Sequence, residues 1–492
     1  MKFKRQFAQL SIASALIAST LGAGHVASAS SAGEGPEQQA TMYGDTSHPK
    51  NVIFLVGDGM GPAYNTAYRY FADNPDTKEV ENTAFDDYLV GTQQTYSDDD
   101  KENITDSAAA GTAFSSGHKT YNGAIGVDKK QNDLETVLER AKKLGKSTGL
   151  VSTAEITDAT PAAYTANVDD RDKKDEIAYQ FYDQRINNQH KVDVILGGGA
   201  KYFGKENGNI TDQFKNDGYG VVTNRQQLEN ASEEQLLGLF ADKNMPLAID
   251  AEEDQPELLD MQNAALERLS KNDKGFFLMV EGASIDKQGH ANDITGVMSE
   301  MEGFEKAFAN AIDYAKSHPD TLVIATADHS TGGLSMGQGS AYEWNPEPIQ
   351  QMKHSGKWMT EQIADGKGVE ETIQAGYGFD LSEKELNAIQ QEADALKKLD
   401  EESDDYEAQQ QKLEDAIQAP INKKSNTGWT TNGHTGEDVN TYAFGPGADQ
   451  FQGNIDNTDN AKNIKHQFTI SVHIIVIDDV LHFYYISFYK LV

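Results

Sequence analysis

A serine directly after an aspartate, followed by four residues no larger than alanine, stands in the stretch ENITDSAAAGTAFSSGHKT, where Asp106 and Ser107 precede Ala108, Ala109, Ala110 and Gly111. Two chemistries fit. Asp and Ser are good helix N-caps and alanine propagates helix, so the pair can simply start one. Alternatively Ser107 is a nucleophile. A helix N-terminus gathers free N–H groups and the positive end of the dipole, which favours an anion such as phosphate. A hydroxyl there, beside a metal that stabilises its alkoxide, can attack phosphorus without a histidine base. The small side chains would let such a substrate approach the backbone.

Carboxylates and imidazoles that could hold that metal follow three apolar runs. VIFLVGDGMG places Asp58, FFLMVEGASIDKQGH places Glu281, Asp286 and His290, and TLVIATADHSTGG places Asp328 and His329. His434, in TTNGHTGED, is a further candidate. Each alone has an ordinary explanation: Gly and Asp are common in turns, and an Asp-His pair can be a solvated surface feature. Their joint placement after three β-type runs is far harder to attribute to turn chemistry. Asp and His donors suit Zn²⁺, while Asp, Glu and a hydroxyl suit Mg²⁺. Arg171, in ANVDDRDKK, would by itself read as solvated charge. Beside the other motifs it can supply a bidentate guanidinium to the equatorial oxygens of a phosphoryl group. His190 and His318 have no such company and read as surface residues.

The elements needed to position these groups are strands. Asn51–Gly57, Ser147–Thr153, Val192–Gly198, Gly275–Glu281 and Thr321–Ala327 are short runs rich in Val, Ile and Phe, separated by helical patterns such as LETVLERAKKLG with Gly145 as its C-cap. That alternation predicts an α/β fold with a mostly parallel sheet flanked by helices. In such sheets ligands bind outside the carboxyl ends of the strands, which would gather the three sets of ligands at one edge. The glycines at Gly197 read as a strand-end turn, since no Lys-Ser/Thr follows them as in a nucleotide loop. Between Met336 and Asn426 two charged helical patterns surround a polar linker. From His466 the chain turns aromatic and β-branched, unlike the rest: an extra strand, an interface element or the product of a reading-frame change.

The 492 residues carry 42 Lys+Arg against 78 Asp+Glu and no cysteine. Residues 1–29 read as a secretory signal, with Lys2, Lys4 and Arg5, a short apolar stretch and Ala27-Ser28-Ala29 at the cleavage site. The apolar stretch is too short to span a bilayer, so no membrane span is expected in the mature protein. Losing three positive residues and no acids takes the net charge from −36 to −39. That balance excludes nucleic acid as a partner. It also suits strong salt, where the Debye length falls to about 3 Å, and so favours a halophilic source over an ordinarily acidic secreted enzyme.

Together, VGDGMG, TDSAAAGTA, STAEITDATPAA with Arg171 thirteen residues after Asp158, VEGASIDKQGH, TADH and GHTGE resemble the bacterial alkaline phosphatases, in the family's order and over roughly Pro49 to Gly447. The resemblance implies a doubly wound catalytic domain over 30–335 and 427–465, with 336–426 as an acidic helical crown or clasp insert and 466–492 as an atypical apolar C-terminal segment. It implies two zinc ions, one magnesium ion and a phosphoserine intermediate on Ser107. Asp58 would bridge one zinc and the magnesium, and Thr160 and Glu281 would complete the magnesium ligands. Asp286, His290 and His434 would hold the first zinc; Asp328 and His329, with Asp58, the second, which activates Ser107. Arg171 would clamp the phosphate, with Asp106 beside the nucleophile. Asp158 and Lys287 would tune the third metal site, favouring magnesium, with Lys287 reaching the phosphate through water. A homodimer acting on phosphate monoesters, releasing inorganic phosphate in the periplasm or outside the cell, follows from the same resemblance. A phosphodiesterase, sulfatase or phosphonate hydrolase on the same metal core is the nearest alternative, although such enzymes typically use Thr or a modified Cys as nucleophile. An acidic, non-catalytic metal-binding module is the other, and it needs no Ser-Ala run.

A chain at −39 should repel an anionic ester, so substrate affinity is expected to improve as moderate salt screens the surface. Measuring 1/KM from low salt upward checks this: a rise is expected, and a flat or falling trend removes the idea.

Overall fold

The computed structural model describes residues 48–400 and 402–468; the signal segment expected at 1–29 and the run from 469 onward lie outside the described residues. Ten strands form one sheet: β1 (Asn51–Gly57), β2 (Leu89–Gln94), β3 (Ser147–Glu155), β4 (Val194–Gly198), β5 (Gly220–Val222), β6 (Leu236–Leu239), β7 (Phe276–Gly282), β8 (Thr321–Thr326), β9 (Val439–Phe444) and β10 (Gly453–Asp456). Their order is β10-β2-β9-β8-β1-β7-β3-β4-β6-β5, and every pairing is parallel except the two made by β9. The fold is therefore α/β, a doubly wound and mostly parallel sheet flanked by helices. The five apolar runs are β1, β3, β4, β7 and β8. The other five strands are short or mixed in polarity, and only their pairing partners make them strands.

Helices cover both faces. Every residue of β1 and β7 is buried, which is why these strands read as unbroken apolar runs rather than alternating ones. Val52, Phe54 and Val56 of β1 join Phe114, Leu138, Tyr164 and Phe277 in one core layer. Gly57 faces the other way, where an added Cβ would stand 3.0 Å from the Phe304 ring. Among the histidines, His318 is exposed as expected, but His190 is not a surface residue. It is buried against Phe214 with ring centroids 4.9 Å apart, and Asp217 satisfies its Nε2 at 2.9 Å. Tyr182, eight residues earlier, and Phe214 and Tyr219, more than twenty residues later, close around it, so its burial depends on contacts that spacing alone does not mark.

The order of the central strands positions the site. β8, β1 and β7 are adjacent and parallel, with Val56 opposite both Thr326 and Glu281. Chain segments leaving their carboxyl ends must emerge side by side.

The segment between Met336 and Thr427 leaves and returns at one point, because Ser335 pairs with Gly428 and Met336 with Thr427. Its helices (Glu347–Gln350, Gly356–Ala364, Val369–Gly376, Glu383–Leu396 and Asp404–Ser425) are tied to the sheet's helical layer by buried polar contacts. Asp293 Oδ1 accepts from the N–H groups of Thr295 and Gly296, capping the long Ile294–Ser317 helix, while its Oδ2 accepts from Gly356 N at 2.8 Å. Asp250 likewise accepts from Ser355 Oγ and His354 Nδ1, at 2.5 and 2.9 Å. Replacing Asp293 with Ala removes a cap and leaves a buried N–H without a partner, costing about 2–4 kcal/mol. The denaturation midpoint should fall accordingly, and a loss below about 0.5 kcal/mol would show that water replaces both contacts.

Candidate active site

Asp58 follows β1, Glu281 lies at the end of β7, and Asp328 and His329 follow β8. All four are buried. Gly59, at φ +70°, turns the chain after Asp58 so closely that a Cβ there would lie 2.8 Å from Asp286, and its N–H donates to Asp328 Oδ1 at 3.0 Å. Asp286 and His290 sit one turn apart on the Ser284–His290 helix that leaves β7. His434 arrives from the far side of the insert, on a strand pair in which it faces Thr331.

The ring nitrogens reveal what this arrangement is for. His290 Nδ1 lies 2.5 Å from the carbonyl oxygen of Asn432, and His434 Nδ1 lies 2.9 Å from that of Thr105. Both Nδ1 atoms therefore donate, leaving each Nε2 as a lone pair. Yet these two Nε2 atoms face each other at 3.2 Å, with Asp286 carboxylate oxygens 3.3 and 3.8 Å away. Lone pairs and carboxylate oxygens converging on one point repel unless a cation lies among them.

The same holds around His329. Thr331 donates its hydroxyl to Asp286 Oδ1 at 2.5 Å and so accepts from His329 Nδ1 at 3.2 Å. His329 Nε2 then points its lone pair at Ser107 Oγ (3.1 Å), Asp328 Oδ2 (3.2 Å) and Asp58 Oδ1 (3.5 Å). A serine-hydrolase relay needs its carboxylate on the opposite ring nitrogen from the serine. Here both carboxylates crowd the serine side, which suits a metal cradle and not a relay. Asp58 Oδ1, Asp328 Oδ2 and Thr160 Oγ1 are buried with no hydrogen-bond partner, as donor atoms for a cation would be. Asp58 with Asp328 and His329, and Asp286 with His329 and His434, each bring donor atoms within 4.8 Å of one another.

Ser107 is the first residue of the Ser107–Ser116 helix, whose cap is Asp106. Asp106 Oδ1 accepts from Ala109 N at 2.9 Å, while its Oδ2 accepts from Gly123 N and from Arg171 Nη1 at 3.1 Å. The second arm of Arg171 reaches Asp158 Oδ1 at 3.3 Å, and Lys287 donates to Asp158 Oδ2 at 3.0 Å. So the guanidinium is held close to Ser107 by two acids. Thr160 lies on the next short helix, and its Cα would stand 3.3 Å from a Cβ added to Gly111. A larger residue at Gly111 would push the two helices apart.

Charge is unevenly tolerated here. Burial first, then repulsion from Asp328, Asp286 and Glu281, pushes the Asp58 carboxyl well above its ordinary range. Burial lifts Glu281 to about 7, although the Ser152 hydroxyl, donating at 2.5 Å, opposes it. Burial acts against ionised Asp158 too, but Lys287, Arg171 and Lys174 overcome it and hold that carboxyl far below the usual range. Burial, then the neighbouring His329, drives His434 down to about 4. Lys287 opposes the rise at Asp58 and Glu281 without overcoming burial, whereas Asp158 has three cations beside it.

The thirteen residues singled out in the sequence gather at this strand edge. Sequence reasoning missed Ser152, Thr331 and Asn432, which orient Glu281, Asp286 and His290 by hydrogen bonds. Thr331 stood two residues after His329, within reach of inspection. Ser152 did not, because only the β3–β7 register sets it opposite Glu281.

Comparison with known proteins gives one answer. The family described as alkaline phosphatase matches residues 49–470. Alkaline phosphatase 3 of Bacillus subtilis is 47% identical over 466 residues, 94% of this chain and 97% of that protein. A cold-active alkaline phosphatase from a psychrophilic Shewanella species superposes with a TM-score of 0.77 at 40% identity, covering 85% of this chain and 100% of the other. A variant of the alkaline phosphatase from the Antarctic bacterium TAB5, with magnesium bound in its M3 site, matches at TM-score 0.62 and 26% identity over 86% of this chain and 99% of its own.

Removing metal should expose the strain between the buried acids. Because the folded pKa of Glu281 is raised to about 7, the metal-free fold is fully stabilised only below the ordinary carboxylate range and loses stability as pH rises through 7. Asp58 shifts in the same direction. The thermal midpoint of chelator-stripped protein should fall between pH 5 and pH 8, and fall less in an Asp58→Asn, Glu281→Gln variant. Equal slopes would place the titration elsewhere.

Proposed function

The chain belongs to the alkaline phosphatase family and is a phosphatase acting on phosphate monoesters, and on that premise we propose that Ser107 takes up the phosphoryl group before water does. The observation that carries this is the placement of Ser107 Oγ, at a helix N-terminus and 3.1 Å from a histidine nitrogen whose other neighbours are two carboxylates. Asp58, Asp328 and His329 would hold one zinc ion, Asp286, His290 and His434 another, and Asp58, Thr160 and Glu281 a magnesium ion. When bound, these cations would lower the pKa of the attacking hydroxyl and neutralise charge developing on the phosphoryl and leaving oxygens.

The chain's own residues do the rest. Ser107 Oγ gives its proton to solvent and forms a bond to phosphorus as the ester oxygen leaves in line on the opposite side, taking a proton from water to depart as the alcohol. The first N–H groups of the Ser107–Ser116 helix and the two arms of Arg171 face the equatorial oxygens. Asp106 and Asp158 keep that guanidinium aimed, so little ordering is lost when substrate arrives. Water then breaks the Oγ–P bond, releasing inorganic phosphate and restoring the serine. Lys287 and Asp158 form an ion pair beside the proposed magnesium ligands, which supports magnesium there and not a third zinc. Export through the 1–29 signal, a catalytic domain over 30–335 and 427–465, the 336–426 segment as a crown or clasp and a homodimer complete the reading. A diesterase or sulfatase has no observation here in its favour.

The test is p-nitrophenyl phosphate hydrolysis by wild type and Ser107→Ala, with metals counted by mass spectrometry. Wild type should carry about two zinc ions and one magnesium ion per chain. The variant should keep them while kcat drops by about a thousandfold or more. Retained turnover in a fully metallated variant would assign the attack to water and sink the phosphoserine.

A further inference from the structure

Away from the strand edge, a cavity of about 320 Å³ lies between the Leu258–Leu269 and Ile294–Ser317 helices and the start of the insert. Its wall is mainly apolar, with Met245, Ile249, Leu258, Phe304 and Met352 among the lining residues. Of the three glutamates that line it, only Glu300 is buried. Glu300 is only 6% exposed; its Oε1 accepts from Ala248 N at 2.8 Å, and its second oxygen takes no hydrogen bond from any described residue. The rim acids differ, since Glu302 is paired with Lys306 and Glu257 with Arg225. On the same wall Thr295, 3% exposed, leaves its hydroxyl without a partner.

A second observation concerns the opening itself. Gly303 lies inside the 24-residue Ile294–Ser317 helix and one turn after Glu300, where glycine is a poor helix former. A Cβ built there meets nothing within 4 Å. The helix thus carries a glycine that no packing neighbour demands, on the face that lines the cavity.

We propose that this cavity binds a small primary ammonium ion with an apolar tail, its nitrogen on the free oxygen of Glu300 and its tail against the methionines, Ile249, Leu258 and Phe304. A bare divalent cation would need several oxygen ligands, and only one unpaired carboxylate is offered. An ammonium group donates three hydrogen bonds and needs one charge opposite it, while the volume suits a chain of a few carbons. Burial, opposed by the hydrogen bond from Ala248, lifts Glu300 to about 7. Asp250 adds to the rise and Lys357, on the insert, counters it without pairing with Glu300. Ligand binding therefore requires a proton to leave, and tightens as pH rises through that range.

The experiment uses metal-loaded full-length protein in enough potassium chloride to screen the acidic surface, with n-butylammonium as ligand and 1-pentanol as its neutral counterpart. Calorimetry should show one saturable site per chain, tighter at pH 8 than at pH 6, with pentanol about tenfold weaker or silent. Glu300→Gln should weaken n-butylammonium at least about tenfold. Gly303→Leu, which fills open space and leaves Glu300 in place, should abolish it, and thermal midpoints confirm that both variants fold. If Glu300→Gln does not fold, Gly303→Leu decides alone. No saturable binding to wild type, or equal binding to wild type and the folded variants, overturns the site.

Discussion

Buried like charge at one edge of the sheet is the constraint from which the rest follows. Asp58, Glu281 and Asp328 emerge from three adjacent parallel strands, out of water and close enough to raise one another's cost of ionisation. Burial also opposes ionised Asp328 and Asp286, but His329 beside the first and His290, His329 and His434 beside the second hold them below the ordinary carboxylate range. Asp58 and Glu281 stay raised, because Lys287, the one cation that lowers them, is paired with Asp158. Cations held among these donors would relieve the repulsion and would polarise whatever oxygen entered.

Rigidity follows from the same design. Five inward donors are braced from behind: Ser152 on Glu281, Thr331 on Asp286 and His329, Asn432 on His290, Thr105 on His434. The braces come from separate parts of the chain and meet on a sheet whose central strands are buried on both faces. A donor set held in this way loses little freedom when metal or substrate arrives. Ser107 shares the economy of parts, because Asp106 caps the helix that presents it and also positions the arginine. The cap and the proposed catalytic pair are therefore compatible, since one side chain makes both contacts.

The acidic surface and the positive site are compatible because they act over different distances. Surface charge acts through water and is screened within a few ångströms in strong salt. The helix N-terminus and Arg171 act in contact, as cations held by the donor set would, and there screening is weak. The insert is joined to this core by buried acids accepting from its N–H and hydroxyl groups. Asp293 follows His290 by three residues and holds Gly356, so the insert is anchored close to the metal-facing helix.

What the sequence determined by itself was the local chemistry and the fold class. β1, β7 and β8 were legible because both-face burial writes an uninterrupted apolar run, and the carboxylates and imidazoles beside them because each follows its run within a few residues. Ser107 stood out through a run of small side chains that a plain helix does not require. Tertiary structure alone decided which oxygen faces which nitrogen. Ser152 meets Glu281 through the register of two strands more than a hundred residues apart in sequence, and His190 is buried among Tyr182, Phe214 and Tyr219, which pack around it from both sides in sequence. Thr331 and Asn432 orient histidines through contacts that no spacing encodes, and Glu300 faces a cavity whose walls come from three distant segments. Periodicity and capping are properties of neighbours along the chain, whereas register, tautomer and cavity shape exist only after distant segments have packed.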